Sequence, residues 1–378
     1  MRSDSLSFLR TLLDTPSPTG FEGAGQKLWS NYAGQWADER WNDAYGNCFA
    51  AIGDEDAACT IAVCGHADEI GLMVNHVTDD GFLYCVQIGG IDPATVVGNR
   101  VGFQSSVEGV NEPVLGFVGA TAVHLQDKSG EAKVRKLHEL FVDIGARSRE
   151  EALSRVNIGD PGVFTAGSLP LGDNLLVARA LDNRVGTFAA AETLRLLREE
   201  GVPEGVRVVA VSTVQEEVGL RGAAMIAESL APDVALVTDV THATDSPGIN
   251  HAKHGKCVLG SGPEVAIGSA MHPEVVRRLL GAAGTSGIEI QRAATPGRSG
   301  TDTDAIFLRA GGIPSGLCSL PIRYMHTTVE TTDLRDLEAI STIYAKFCID
   351  LAADFAEHGD AYQPHGDAYQ PFIPDYSS

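Results

Sequence analysis

The chain has 378 residues, enough for two domains, and 44% of them are hydrophobic, enough for a large buried core. A net charge of −22 argues against nucleic acid or an anionic membrane as a partner. The same charge does not imply a basic substrate, because acidic surfaces ordinarily serve solubility. No run approaches the ~20 apolar residues of a membrane helix. The start, Met1-Arg2-Ser3-Asp4, has no signal-type apolar core. The seven cysteines are odd in number, form no Cys-x-x-Cys and lie mostly in apolar runs. They are expected as buried reduced thiols of a cytoplasmic protein.

Helices are predicted over residues 5–13 and 22–32, split by the breaker Pro16-Ser17-Pro18-Thr19-Gly20. Strands are predicted at 60–64, 71–77 and 82–88. The first runs into Cys64-Gly65-His66-Ala67-Asp68-Glu69-Ile70-Gly71. In an extended chain residues i and i+2 share a face, so His66 and Asp68 point the same way. A metal-ligating histidine donates its second N–H to a carboxylate, and this pair supplies one. Taken alone, His-x-Asp is more often structural. Cys64 shares the His66 face, but like the other cysteines it is expected as a buried thiol and not as a ligand.

From residue 89 to 164 the texture changes to short strands, glycines and turn signals, such as Gly98-Asn99-Arg100-Val101-Gly102. This predicts a small β-rich domain, 71–164, inserted between two parts of an α/β domain, 1–70 and 165–357. Strand and helix alternate again beyond it, with helices at 187–198, 274–281 and 334–355 and strands at 206–212, 234–237 and 288–292. Residues 358–378 repeat His-Gly-Asp-Ala-Tyr-Gln-Pro twice and are expected as a disordered extension.

Candidate chemistry collects at strand ends in this second part. Asp182 lies between the strand-like 174–178 and the 187–198 helix. Glu216 and Glu217 follow Val-Arg-Val-Val-Ala-Val-Ser-Thr-Val-Gln. Adjacent carboxylates repel unless a cation or a proton is shared, and a metal site lets one ligate while the other moves protons. Asp239 ends an apolar run, and His326 follows Pro321-Ile322-Arg323-Tyr324-Met325. Individually these read as a helix cap, a turn residue and a loop histidine. Together with His66 they form an oxygen and imidazole set without thiolates, which suits zinc, cobalt or manganese. His251-Ala252-Lys253-His254 lacks the glutamate of a zincin helix and reads as a surface or pocket-edge loop, with His254 a candidate substrate contact. No Gly-x-Ser-x-Gly elbow marks a serine hydrolase.

The motifs as a set resemble the TET aminopeptidase family, glutamyl and deblocking aminopeptidases that are dinuclear zinc exopeptidases. The resemblance is carried by Gly65-His66-Ala67-Asp68-Glu69-Ile70-Gly71, Leu140-Phe141-Val142-Asp143-Ile144-Gly145-Ala146, Ile158-Gly159-Asp160, Leu181-Asp182-Asn183-Arg184-Val185-Gly186, Gln215-Glu216-Glu217-Val218-Gly219-Leu220-Arg221-Gly222-Ala223 and Arg323-Tyr324-Met325-His326-Thr327. These stand in family order and cover nearly the whole chain. The resemblance implies an α/β fold: a mixed-sheet zinc-exopeptidase-like catalytic domain sandwiched by helices, with a barrel-like inserted domain used for dimerisation. It implies two divalent metal ions per subunit, zinc first and cobalt or manganese as alternatives. His66, Asp182 and Asp239 would hold one, and Asp182, Glu217 and His326 the other, with Asp182 shared. Glu216 would be the general base, Asp68 would orient His66, and the Asp182–Asn183 peptide bond would be cis. A peptide substrate would bind by its free α-amine, and dimers would build a dodecamer.

The loop Gly297-Arg298-Ser299-Gly300-Thr301-Asp302-Thr303-Asp304-Ala305 resembles the family's Gly-Gly-Thr-Asp-Ala only in part. By that resemblance Thr301 and Asp302 border the substrate pocket. Two other functions stay open on sequence alone. One is a related dinuclear-zinc deacylase or carboxypeptidase. The other is a non-catalytic, metal-stabilised assembly scaffold, against which the intact Glu216 speaks.

Overall fold

Three near-continuous apolar runs form the middle of the sheet. Strands Cys59–His66, Val206–Thr213 and Val234–His242 are parallel and almost wholly buried, as strands covered on both faces must be. The computed structural model describes residues 1–125, 134–358 and 370–374. The mixed sheet has 11 strands and continues through Ser315–Arg323, Glu330–Asp333 and Leu175–Ala178. Register aligns His66 with Thr213 and Asp239 with Ser319. The loop bearing Glu216 and Glu217 therefore leaves its strand beside His66, at the carboxyl ends where α/β sheets place their ligands.

Helices Leu181–Glu200 and Leu334–His358 pack on one another and on the central strands. Glycine permits the closest of these contacts. A Cβ on Gly65 would lie 2.3 Å from the carbonyl carbon of Gly186, and one on Gly186 would lie 2.8 Å from the Thr238 carbonyl oxygen. Backbone cannot yield there, so the two glycines let the helix start lie against the strands that carry His66 and Asp239. That start is irregular. Asp182 and Asn183 have non-helical backbone, and their peptide bond is cis. The Asn183 amide donates to Thr238 O at 2.7 Å, and its carbonyl accepts from the Gly186 amide at 3.0 Å.

A closed barrel is built from Gly71–Val77, Leu83–Ile88, Phe141–Asp143, Val114–Gly119, Arg100–Phe103 and Pro161–Phe164. Leu72, Val74, Phe103, Val118, Val142 and Phe164 belong to its own core, separate from that of the sheet. Among the described residues no helix is long and apolar enough to cross a membrane.

Several elements differ from expectation. Strand Glu39–Asn42, at the sheet's edge and without an apolar run, and its buried apolar neighbour Cys48–Ile52 were not expected; Trp41 stacks on Phe49 across the pair at 4.9 Å. The strand expected at 288–292 begins later, at Gln291–Thr295, because the Ile288 amide closes the preceding helix by bonding Ala283 O. Helix Arg221–Ser229 was not expected. All seven cysteines are free and buried. Burial pushes the Cys64 thiol up, which makes it an inert core group. Most of the expected disordered extension lies outside the described residues. His358 ends its helix, and the Phe372 ring meets His272 edge-on at 6.1 Å.

Candidate metal centre

Six side chains converge at the carboxyl ends of the central strands, lining a cavity of about 500 Å³. They are His66, Asp182, Glu216, Glu217, Asp239 and His326. Two trios each have ligand atoms within 4.8 Å of one another: His66, Glu216 and Asp239, and Asp182, Glu217 and His326. The Asp182 carboxylate stands between them. Its Oδ1 is 3.2 Å from His66 Nε2, and its Oδ2 is 3.2 Å from His326 Nε2. His66 Nε2 is also 3.8 Å from Asp239 Oδ1 and 3.7 Å from Glu216 Oε2, and His326 Nε2 is 3.7 Å from Glu217 Oε1.

Asp68 does more than its spacing foretold. Its Oδ1 lies 3.4 Å from His66 Nδ1, which also approaches the Asp68 carbonyl at 3.1 Å. The same carboxylate accepts the Glu216 amide at 3.0 Å, the Glu217 amide at 3.2 Å and the Thr19 hydroxyl at 2.8 Å. One fully buried group thus fixes a histidine and both glutamates. Burial would raise its pKa, but the His66 hydrogen bond and charge, with these donors, hold it below the usual carboxylate range.

The remaining carboxylates crowd one another. Burial raises Asp239 and Glu217 well above the usual range, and the Asp182 charge adds to it. Glu216 is pushed up to about 9, first by burial and then by Asp239, Asp302 and Asp182 against the pull of His66. Asp182 itself is held low, because His326 and His66 outweigh its burial. Burial would lower His66, yet Glu216, Asp182 and Asp68 raise it. Four carboxylates around two imidazoles need further positive charge to stay ionised together. The donors are oxygen and nitrogen without thiolate, which fits hard or borderline divalent cations.

The predicted substrate contacts divide. Thr301 lines the cavity with Arg298, Ser299 and Gly300. Asp302 is buried behind it and accepts the Thr213 hydroxyl at 2.6 Å. His254 is exposed on the four-residue helix His251–His254, which Asn250 caps through the Ala252 amide, and it does not line the cavity.

Other residues around the centre were not foreseen. Glu330 accepts the Asp182 amide at 3.1 Å and the His326 amide at 2.8 Å. Glu69, next to Asp68, pairs with Arg179 and with Arg184 in the interior. Gly89 and Gly90, at the barrel's edge, abut the centre. A Cβ on Gly89 would lie 2.9 Å from Glu217 Oε2, and one on Gly90 would lie 3.1 Å from His326 Nδ1. The barrel therefore touches the candidate centre, although its sequence lies far from most of the ligands. No sequence signal was read for this approach, since the two glycines carry no side chain.

The fold and this cluster define a hydrolase-type α/β protein with a barrel insert. The family described as M42 glutamyl aminopeptidase matches residues 46–343. A lysyl aminopeptidase of Pyrococcus furiosus is 32% identical over 338 residues, covering 87% of this chain and 92% of its own. Aminopeptidase APDkam598 of the archaeon Desulfurococcus kamchatkensis superposes with a TM-score of 0.84 at 33% identity, over 92% of this chain and 95% of that one. The Pyrococcus horikoshii TET1 peptidase, which can assemble into a tetrahedron or a large octahedral shell, superposes with a TM-score of 0.78 at 28% identity, over 92% of this chain and 99% of that one. The chain belongs to the M42 glutamyl aminopeptidase family and is a peptide hydrolase of the aminopeptidase class.

Proposed function

We propose that the chain removes N-terminal residues from peptides with two divalent metal ions and Glu216 as general base. The observation that carries this is the Asp182 carboxylate, with one oxygen 3.2 Å from each imidazole. His66, Asp182 and Asp239 would hold one ion, and Asp182, Glu217 and His326 the other. Zinc fits the donors first, with cobalt or manganese as alternatives. When bound, the ions supply Lewis acidity and bring the pKa of water toward neutrality.

The chain's own groups do the rest. Glu216 takes the proton from the attacking water and returns it to the leaving amine, so it ends the cycle unchanged. Asp68 keeps His66 in one orientation and fixes the Glu216 backbone, which limits where that carboxylate can reach. Thr301, Ser299 and Arg298 would border the substrate. A free α-amine at the cluster would restrict cleavage to chain ends.

The chain is proposed to act as a homodimer joined through the barrel, with larger closed assembly of the kind described for the P. horikoshii relative. The barrel leaves Val86, Leu115 and Phe117 45–50% exposed, an apolar surface suited to a partner copy.

The test is a set of matched peptides with a free N-terminus, an acetylated N-terminus and a blocked C-terminus. The aminopeptidase reading expects release of the first residue from the free and C-blocked peptides alone. Release of acetate or of the C-terminal residue would replace it with the deacylase or carboxypeptidase reading. No release from any peptide by metal-loaded protein would favour the scaffold.

A further inference from the structure

We infer that Glu330 is a positioning residue for the Asp182–Glu217–His326 side of the metal centre; this rests on the dinuclear reading above. Glu330 opens strand Glu330–Asp333, which pairs with Leu175–Ala178 on one side and Ser315–Arg323 on the other. Register sets Glu330 opposite Ala178, four residues before Asp182, and His326 lies four residues before Glu330. The two ligand loops thus leave the sheet on either side of one carboxylate.

The Glu330 side chain is buried, at 2% exposure, and spans the gap. Its Oε2 accepts the Asp182 amide at 3.1 Å and its Oε1 the His326 amide at 2.8 Å. Each oxygen therefore anchors the backbone of a different ligand, and the two ligand side chains meet at 3.2 Å. His326 needs such an anchor, because its φ is 61°. A non-glycine residue holds that left-handed conformation only where its surroundings over-determine it. A buried carboxylate beside Asp182 is costly unless its lone pairs are satisfied. Its position here is explained by what it holds.

Glutamine is the informative replacement. It keeps size and one acceptor, but its NH₂ end faces one of the two amides donor to donor. Two of the three ligands on the His326 side hang on Glu330, against Asp182 alone on the other. Groups that orient metal ligands change affinity by about 10–100-fold when removed.

The experiment is a zinc titration of metal-stripped full-length protein against a competing chelator, for wild type, Glu330→Gln and Glu330→Asp. His326→Ala identifies which binding event belongs to its side. The expected result is a weakening of that event by about 10–100-fold in both Glu330 variants, with a smaller loss at the other, which depends on Glu330 through Asp182 alone. Unchanged affinities, or an equal loss at both sites as a general structural defect would give, overturn the inference. A single zinc event in wild type overturns the dinuclear reading, and this one with it, before any variant is considered. If the variants do not fold, amide hydrogen exchange in wild type decides. Joint protection of the Asp182 and His326 amides in metal-free protein is expected, and free exchange of either contradicts the clamp.

Discussion

At the residue scale the centre divides labour among groups of one chemical type. Asp182 is the carboxylate that reaches both histidines. Asp182→Ala is expected to abolish both bound metals, while Glu217→Ala or Asp239→Ala mainly weakens one. Elemental analysis of metal per chain checks this, and two metals retained in Asp182→Ala would remove the bridge. Glu216 is the proposed base. Glu216→Gln is expected to keep its metals and lose turnover by roughly 10²–10⁴-fold. Near-normal turnover of metal-loaded variant would reassign the base. These residues were legible because each ends a strand or opens a loop with chemistry that a turn does not need. Asp302 was misplaced because sequence order cannot say which of two neighbours, Thr301 or Asp302, faces the cavity. Asp302 turns inward to Thr213.

At the scale of elements, buried charge ties the N-terminal helix to the site. Glu69 accepts the Ser17 amide at 2.9 Å and pairs with Arg179 and Arg184, which in turn reach carbonyls of Asp14, Leu12 and Thr15. The end of helix Ser3–Asp14 is thereby fixed to the segment carrying Asp68 and to the start of the Asp182 helix. Burial lowers the Arg184 guanidinium to about 10 even beside Glu69. Glu69→Gln would leave two buried guanidiniums without their counter-charge, at a cost of roughly 3–5 kcal/mol. Urea unfolding measures it, and a loss under about 1 kcal/mol would contradict the role. None of this was legible beforehand. Glu69 and Arg179 are 110 residues apart, and a pairing that distant has no local pattern. Glu330 was hidden for a related reason. Val329-Glu330-Thr331-Thr332 reads as a polar strand, and only its register between two ligand loops gives the glutamate a task.

At the scale of the whole molecule, the alternation of strands and helices and the change of texture near residue 89 made the sheet and the barrel legible. Their mutual placement was not, because Gly89 and Gly90 carry no side chain to advertise a contact with Glu217 and His326. The outer barrel wall makes the assembly testable. Phe117→Asp is expected to lower the mass seen by light scattering at micromolar concentration, and an unchanged mass would move the interface elsewhere. The central claim is that two metal ions drive release of N-terminal residues. Its most direct test strips the full-length protein with a chelator, restores zinc stepwise, and measures metal per chain and N-terminal residue released in the same samples. The account predicts background release without metal and full release as the second ion per chain is bound. Full release from metal-free protein, or a maximum at one ion per chain, would contradict it.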